Sequence, residues 1–239
     1  MKSFFLKAVC AAIVLAGVVA SRADVLYQDT TVPTGNYLTF ANNQQIGEQI
    51  WLGTLTPEYL TNFSFEYYDP NNTLSWNGSV QADVRFYENN GTPTNGFNTP
   101  GTLFYDSGLF SIPTPYSISL TNTATLNFDL SDLQFPPGGS PLDPNFILPT
   151  NFTFTVTFSG LAGGDQVGLS IYEPPTVGTN YGDYWFDSSG TWELLTNTVP
   201  VAFGAQFNGS IEPTPEPSVI CLGVLGGTAL MAMARRRRV

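Results

Sequence analysis

The side chains that could do chemistry are few and nearly all of one kind. The chain has 19 Asp and Glu against 8 Lys and Arg, and no His. Without imidazole there is no Ser-His-Asp relay, no histidine-bound metal and no histidine general base. The two cysteines, Cys10 and Cys221, fall in apolar segments at the two ends, so the body has neither a disulfide nor a thiol nucleophile. Lysine is confined to Lys2 and Lys7, which removes Schiff-base and Ser-Lys chemistry from the body. Carboxylate catalysis is what remains, and its natural form is glycoside hydrolysis. That reaction sets two carboxyl groups across a cleft, about 5–5.5 Å apart for retention or about 6.5–9.5 Å for inversion. Glu48, Glu66, Glu88, Glu173 and Glu193 are the candidates. No spacing selects a pair among them, and each reads equally as a solvated surface residue. The chain is therefore expected not to be an enzyme.

Binding chemistry is better represented. Tyr181, Tyr184, Trp185 and Trp192 crowd a segment rich in Gly and Asp, where an exposed platform of rings would stack on sugar faces. The same rings also suit a hairpin core, because Trp185 and Trp192 flank Asp187-Ser188-Ser189-Gly190, a turn sequence; Trp51 and Trp76 are open to the same two readings. Arg85 is the one cation between 24 and 217. With Asp83 and Tyr87 two residues to either side it makes a surface ion pair, or a bidentate clamp for an acidic sugar. No cofactor is required and no metal ligand set is assigned. Ca2+ is the one ion the oxygen-rich turns admit, at Asp69, Asn71 and Asn72 or at Asp183 and Asp187, although neither has EF-hand spacing and turn chemistry accounts for both.

Short strands must position these groups. Phe63, Phe65 and Tyr67 alternate with polar residues, as do Val80, Ala82, Val84 and Phe86; Leu126, Phe128 and Leu130; Phe152, Phe154, Val156 and Phe158; Val167, Leu169 and Ile171; and Val201, Phe203, Ala205 and Phe207. Period-two alternation buries one face of a strand. Asn-, Pro- and Gly-rich clusters separate the runs, and no stretch sustains a helical stripe. Some ten to twelve strands without a helix predict an all-β fold, an antiparallel, jelly-roll-like β-sandwich over 24–211. The outward Thr and Asn residues predict a solvated face. The Pro-rich segment 131–150 reads as a long loop capping one end. Residues 24–217 hold one cation against 19 anions, a formal charge of −18. That excludes nucleic acid as a partner, since binding it requires Lys and Arg against phosphate.

The two ends read as addresses. Residues 1–23 form a signal peptide: Lys2 and Lys7, an apolar run over 8–20, then Ser21-Arg22-Ala23 as the cleavage site. This predicts passage through the Sec machinery and signal peptidase. At the other end a Pro-rich spacer, 212–217, precedes an uncharged apolar stretch over 218–234, then Arg235, Arg236, Arg237 and Arg238. The apolar stretch is just long enough to cross a bilayer, and the Arg block is held on the cytoplasmic side.

Pro215-Glu216-Pro217, a short apolar helix and a terminal Arg cluster together resemble the PEP-CTERM sorting signal of bacterial exosortase substrates. The resemblance covers about the last 28 residues. It implies that Pro215, Glu216 and Pro217 are the recognition motif, that Arg235, Arg236, Arg237 and Arg238 stop the chain in the membrane, and that an exosortase processes the tail. The expected protein is exported, transiently anchored in the inner membrane through 218–239, and delivered to the cell surface or extracellular matrix. Association with exopolysaccharide accompanies that resemblance. A carbohydrate-binding module is the alternative.

Overall fold

Alternation governs the folded chain. In β4 (Glu58–Tyr68), Phe63, Phe65 and Tyr67 are buried while Ser64, Glu66 and Tyr68, which alternate with them, are half-buried. The computed structural model describes residues 23–129, 146–197 and 200–211. The expected signal peptide, except Ala23, lies outside them. So do most of the predicted loop over 131–150, the spacer 212–217 and the segment 218–239 with Pro215, Glu216, Pro217 and Arg235, Arg236, Arg237 and Arg238. No helix among the described residues is long and apolar enough to cross a membrane.

The fold is nearly all β, and every pairing between its described strands is antiparallel. The first sheet runs in the order β1 (Asp24–Asp29), β17 (Ala205–Ser210), β4, β13 (Val167–Tyr172) and β2 (Pro33–Phe40). Strands β10 (Thr123–Asp129) and β11 (Ile147–Leu148) also pair with β4. The second sheet runs β16 (Trp192–Leu195), β15 (Tyr184–Asp187), β3 (Gln45–Trp51), β12 (Asn151–Ser159), β5 (Gln81–Tyr87) and β8 (Leu103–Asp106). Beside it β14 (Thr179–Asn180) pairs with β3, and β9 (Phe110–Ser111) with β5. A separate two-stranded sheet joins β6 (Pro93–Thr94) to β7 (Phe97–Asn98).

The inner faces meet through rings. Phe63 of the first sheet lies 5.1 Å from Phe86 of the second, and Phe207 lies 5.7 Å from Phe154. Phe128 stacks on Phe63 at 4.3 Å. Each such side chain contributes about 1.5–3 kcal/mol when fully buried, so this layer is the main source of cohesion.

Three sequence expectations need correction. Among the described residues a single helix is present, α1 (Pro115–Ser119); Pro115 occupies its first turn, where no amide hydrogen is needed, and it ends at Leu120, which has φ 56°. Five residues are too few to show a 3.6-residue stripe. Ile147 and Leu148, expected in a loop, pair with Tyr59 and Glu58. The outward threonines of β12 are not solvated either: Thr153 and Thr155 are fully buried. They occupy an interior strand whose outer face is covered by other side chains, as described next.

Candidate functional site

The outer face of the second sheet collects the polar side chains of several strands. Tyr184 and Phe186 pack against the core, so Trp185 and Asp187 point to the opposite face. By register, Asp83, Thr157, Gln45 and Asp187 form one row across that face. Arg85, Thr155, Gly47 and Trp185 form the next; Tyr87, Thr153 and Gln49 the third; Asn151 and Trp51 the fourth.

This face is concave. Trp192 and Tyr87 lie on β16 and β5, with β15, β3 and β12 between them. In a flat sheet those two strands would stand about 19 Å apart. Their rings are 5.5 Å apart, edge to face. The sheet therefore curls, and the β15–β16 hairpin folds over its own outer surface. Beneath that bridge Gln45 Nε2 donates to Tyr87 Oη at 3.0 Å and to Thr155 Oγ1 at 2.6 Å. Gly47 makes the close fit feasible, because a Cβ there would meet the Phe154 carbonyl oxygen at 2.0 Å.

At one end of the curled face lies an open pocket of about 430 Å3. Asn43, Gln45, Asp83, Arg85 and Thr157 line it, together with the turn over 187–190. The turn is held by Asp187 Oδ1, which accepts the amides of Ser189, Gly190 and Thr191. Arg85 lies between two carboxylates: Nη2 is 2.8 Å from Asp83 Oδ2, and Nε is 3.1 Å from Asp106 Oδ2, an ion pair by distance without hydrogen-bond alignment. Asp106, on β8, is a partner no sequence pattern signalled. Burial pushes the Asp83 carboxyl up to about 6, against the opposing pull of Arg85. A guanidinium matched by two carboxylates is a poor receptor for a third anion, so the geometry favours the ion pair over the acidic-sugar clamp.

At the other end, about 20 Å away along β3, Trp51 packs edge to face on Tyr181 at 4.3 Å. Tyr181 in turn packs on Phe97 at 4.5 Å and remains 45% exposed.

The four aromatics expected to make one platform are therefore distributed. Trp192 bridges the concave face. Tyr181 belongs to the ring trio at its far end. Trp185 is buried on the same face at 1% exposure. Tyr184 points to the other side of the sheet, against Phe203. Trp51 and Phe97 complete the trio; Phe97 carried no sequence signal because its hairpin is only two residues long on each side. Trp76 donates its indole N–H to the Ile112 carbonyl at 3.0 Å and packs on the core.

The five glutamates do not share a cleft. Glu48 lies between the sheets, fully buried. Glu66 lies on the outer face of the first sheet, where Tyr172 Oη donates to it. Glu88 accepts from Asn90 Nδ2 at 2.6 Å, and Glu173 and Glu193 are exposed. Glu48 accepts from Tyr27 Oη at 3.0 Å, Asn180 Nδ2 at 3.0 Å and the Phe203 amide at 3.2 Å. Burial lifts its carboxyl to about 8 despite those bonds. Asp29, 1% exposed, is pushed to about 9 by burial and then by the Glu48 and Glu66 charges. Its Oδ2 has no hydrogen-bond partner.

Asp69 and Asp187, considered for Ca2+, are occupied by the backbone of their own turns. Asp69 Oδ1 accepts the Asn71 amide, and Oδ2 accepts the Thr73 amide and hydroxyl. Among the described residues no three acidic or sulfur side chains are grouped to hold a metal ion.

No protein-family model, no curated protein and no solved structure matches the chain.

Proposed function

We propose that this chain is an exported bacterial surface or extracellular-matrix protein whose non-catalytic, jelly-roll-like β-sandwich associates with exopolysaccharide. The order of the tail supports delivery by an exosortase: Pro215-Glu216-Pro217, the apolar stretch over 218–234, then Arg235, Arg236, Arg237 and Arg238. Signal peptidase and the Sec machinery act before it, at the start of the chain. The jelly-roll reading rests on successive strands alternating between sheets: β3 in the second, β4 in the first, β5 in the second, and again β12 and β13.

One observation carries the glycan association: the concave outer face of the second sheet, with its pocket of amides, hydroxyls and carboxylates beside Leu109 at one end and rings at the middle and far end. Saccharides are bound by rings against their apolar faces and by oriented hydrogen-bonding groups around their hydroxyls. Arg85 is already paired and Asp83 and Asp187 also face the pocket, so a neutral glycan fits and a uronic acid is repelled.

The test is titration of the native polysaccharide's oligosaccharides, and of neutral and uronic oligomers, into wild type, Trp192→Ala and Tyr181→Ala. Loss of one stacking ring weakens neutral-glycan binding by about two- to tenfold. Binding unchanged in both variants would remove the concave face from the account. The second reading, a glycosidase, is favoured only by the raised carboxyl of Asp83 in the pocket. Hydrolysis of the same oligomers that disappears in Asp83→Asn would install it.

A further inference from the structure

Four Asn-Gly steps occur in the body of the chain, and the fold treats them unequally. At Asn77-Gly78, Asn77 Nδ2 donates to the Gly163 carbonyl and to Asp165, while the Gly78 amide donates to Asp165 Oδ2 at 2.8 Å. At Asn90-Gly91, Asn90 Oδ1 accepts the Thr102 amide, Nδ2 donates to Glu88 and Thr102, and the Gly91 amide donates to the Thr99 carbonyl. At Asn208-Gly209, Asn208 bonds to Asn62 and Gln206, and both residues lie in β17 between β1 and β4.

Asn95-Gly96 differs. It is the two-residue tip joining β6 to β7, with Thr94 paired to Phe97. Both residues have positive φ, 54° and 87°, the type I′ geometry that Asn-Gly adopts readily. Both are exposed, nothing lies within 4 Å of a Cβ built on Gly96, and neither the Asn95 amide nor the Gly96 N–H has a hydrogen-bond partner. The hairpin joins neither large sheet. Phe97 against Tyr181 and Asn98 Nδ2 on the Asn89 carbonyl tie its β7 side to the body, while two-stranded pairing at the tip is at best marginally stable in water. Local opening therefore frees the backbone to bring the Gly96 nitrogen onto the Asn95 carboxamide.

We propose that Asn95 is a self-modification site, where the Gly96 backbone nitrogen attacks the Asn95 side chain and converts it to aspartate or isoaspartate. Solvent base removes the Gly96 amide proton. The nitrogen bonds to Asn95 Cγ, the Cγ–Nδ2 bond breaks, and ammonia leaves with a proton from water. Water then opens the cyclic imide at either carbonyl. The net change is one water consumed and one ammonia released, with no redox step. The isoaspartate product adds a methylene to the backbone at the tip, next to Phe97, whose ring holds Tyr181 at the far end of the concave face. The site does not depend on glycan binding.

The purified protein is aged in mildly alkaline buffer and cleaved with chymotrypsin. Cutting after Tyr87 and Phe97 places Asn90-Gly91 and Asn95-Gly96 in one peptide, so tandem mass spectrometry compares them directly. Asn95 converts about tenfold faster than Asn90, the factor that ~1.4 kcal/mol of protecting local structure supplies. Asn77 and Asn208 lag likewise, and in denaturant the four converge. Asn95→Gln loses the fast conversion and leaves the other three unchanged. Equal or faster conversion at any of the other three in the folded protein overturns the proposal. So does a preference for Asn95 that persists undiminished in denaturant, which would make it a property of the peptide and not of the fold.

Discussion

Glu48 sits on the inner face of β3, a position that ordinarily carries an aliphatic residue. Its carboxyl ties β1, β14 and the segment ahead of β17 together through Tyr27, Asn180 and the Phe203 amide. One carboxyl oxygen accepts from Asn180 and Phe203, and the other accepts from the Tyr27 hydroxyl. A glutamine oxygen can keep the Asn180 and Phe203 bonds, with its NH2 turned to donate to Tyr27 Oη. The folded carboxyls of Glu48 and Asp29, lifted to about 8 and about 9, hold protons that the unfolded chain releases at much lower pH. The unfolded state thus binds fewer protons across that window, and stability falls as pH rises. The contribution is whole in acid, below the unfolded values near 4, and is lost as pH climbs through 8 to 9. Thermal melting from pH 5 to pH 9 should show a falling midpoint in wild type, because each tenfold difference in proton affinity between the folded and unfolded chain is worth about 1.4 kcal/mol. Glu48→Gln should melt higher than wild type at alkaline pH and show a flatter profile. A steeper profile in the variant would mean that Glu48 is ionised in the fold.

Among the elements, β4 and β5 carry the contact between sheets. Phe63 touches Phe128, Phe86, Phe207 and Tyr105, so its removal opens a cavity bounded by both layers. Phe63→Ala is expected to cost about 3–5 kcal/mol in urea unfolding. Tyr37, on edge strand β2, stacks on Tyr68 at 4.1 Å and is 40% exposed. Tyr37→Ala loses the stacking contribution of about 0.5–1.5 kcal/mol and only part of its burial. Comparable losses in the two variants would contradict the layer assignment. The β15–β16 hairpin was legible from Asp187-Ser188-Ser189-Gly190 between Trp185 and Trp192, because turn chemistry is local. Its curl over β12 was not. Nothing along the chain places Trp192 against Tyr87, which is 105 positions earlier.

For the molecule as a whole, charge and termini matter more than any one strand. A body of 19 anions and one cation repels its own kind and any polyanion. If the two ends act as proposed, mass spectrometry of material recovered from the cell surface finds a chain beginning at Asp24 and ending near Pro217. Surface material still carrying Arg235, Arg236, Arg237 and Arg238 would sink exosortase processing, and retention of residue 1 would sink export.

Six of the strands, the turns between them and the exclusion of His, Lys and thiol chemistry were readable from the chain alone. Each depends on composition or on neighbours one to four residues apart, as with Phe63, Phe65 and Tyr67 or with Asp69 and its turn. Strand β3 was not readable, because Glu48 on its buried face breaks the alternation. Tertiary structure alone decided which alternate positions are truly outside. Thr153 and Thr155 follow the outward pattern yet are buried, because a sheet that curls covers its own outer face. It also set Asp106 beside Arg85, spread Tyr181, Tyr184, Trp185 and Trp192 over two faces, and enclosed Asp29 and Glu48 between the layers. These are contacts between distant segments, set by register and curvature, which a period of two does not encode.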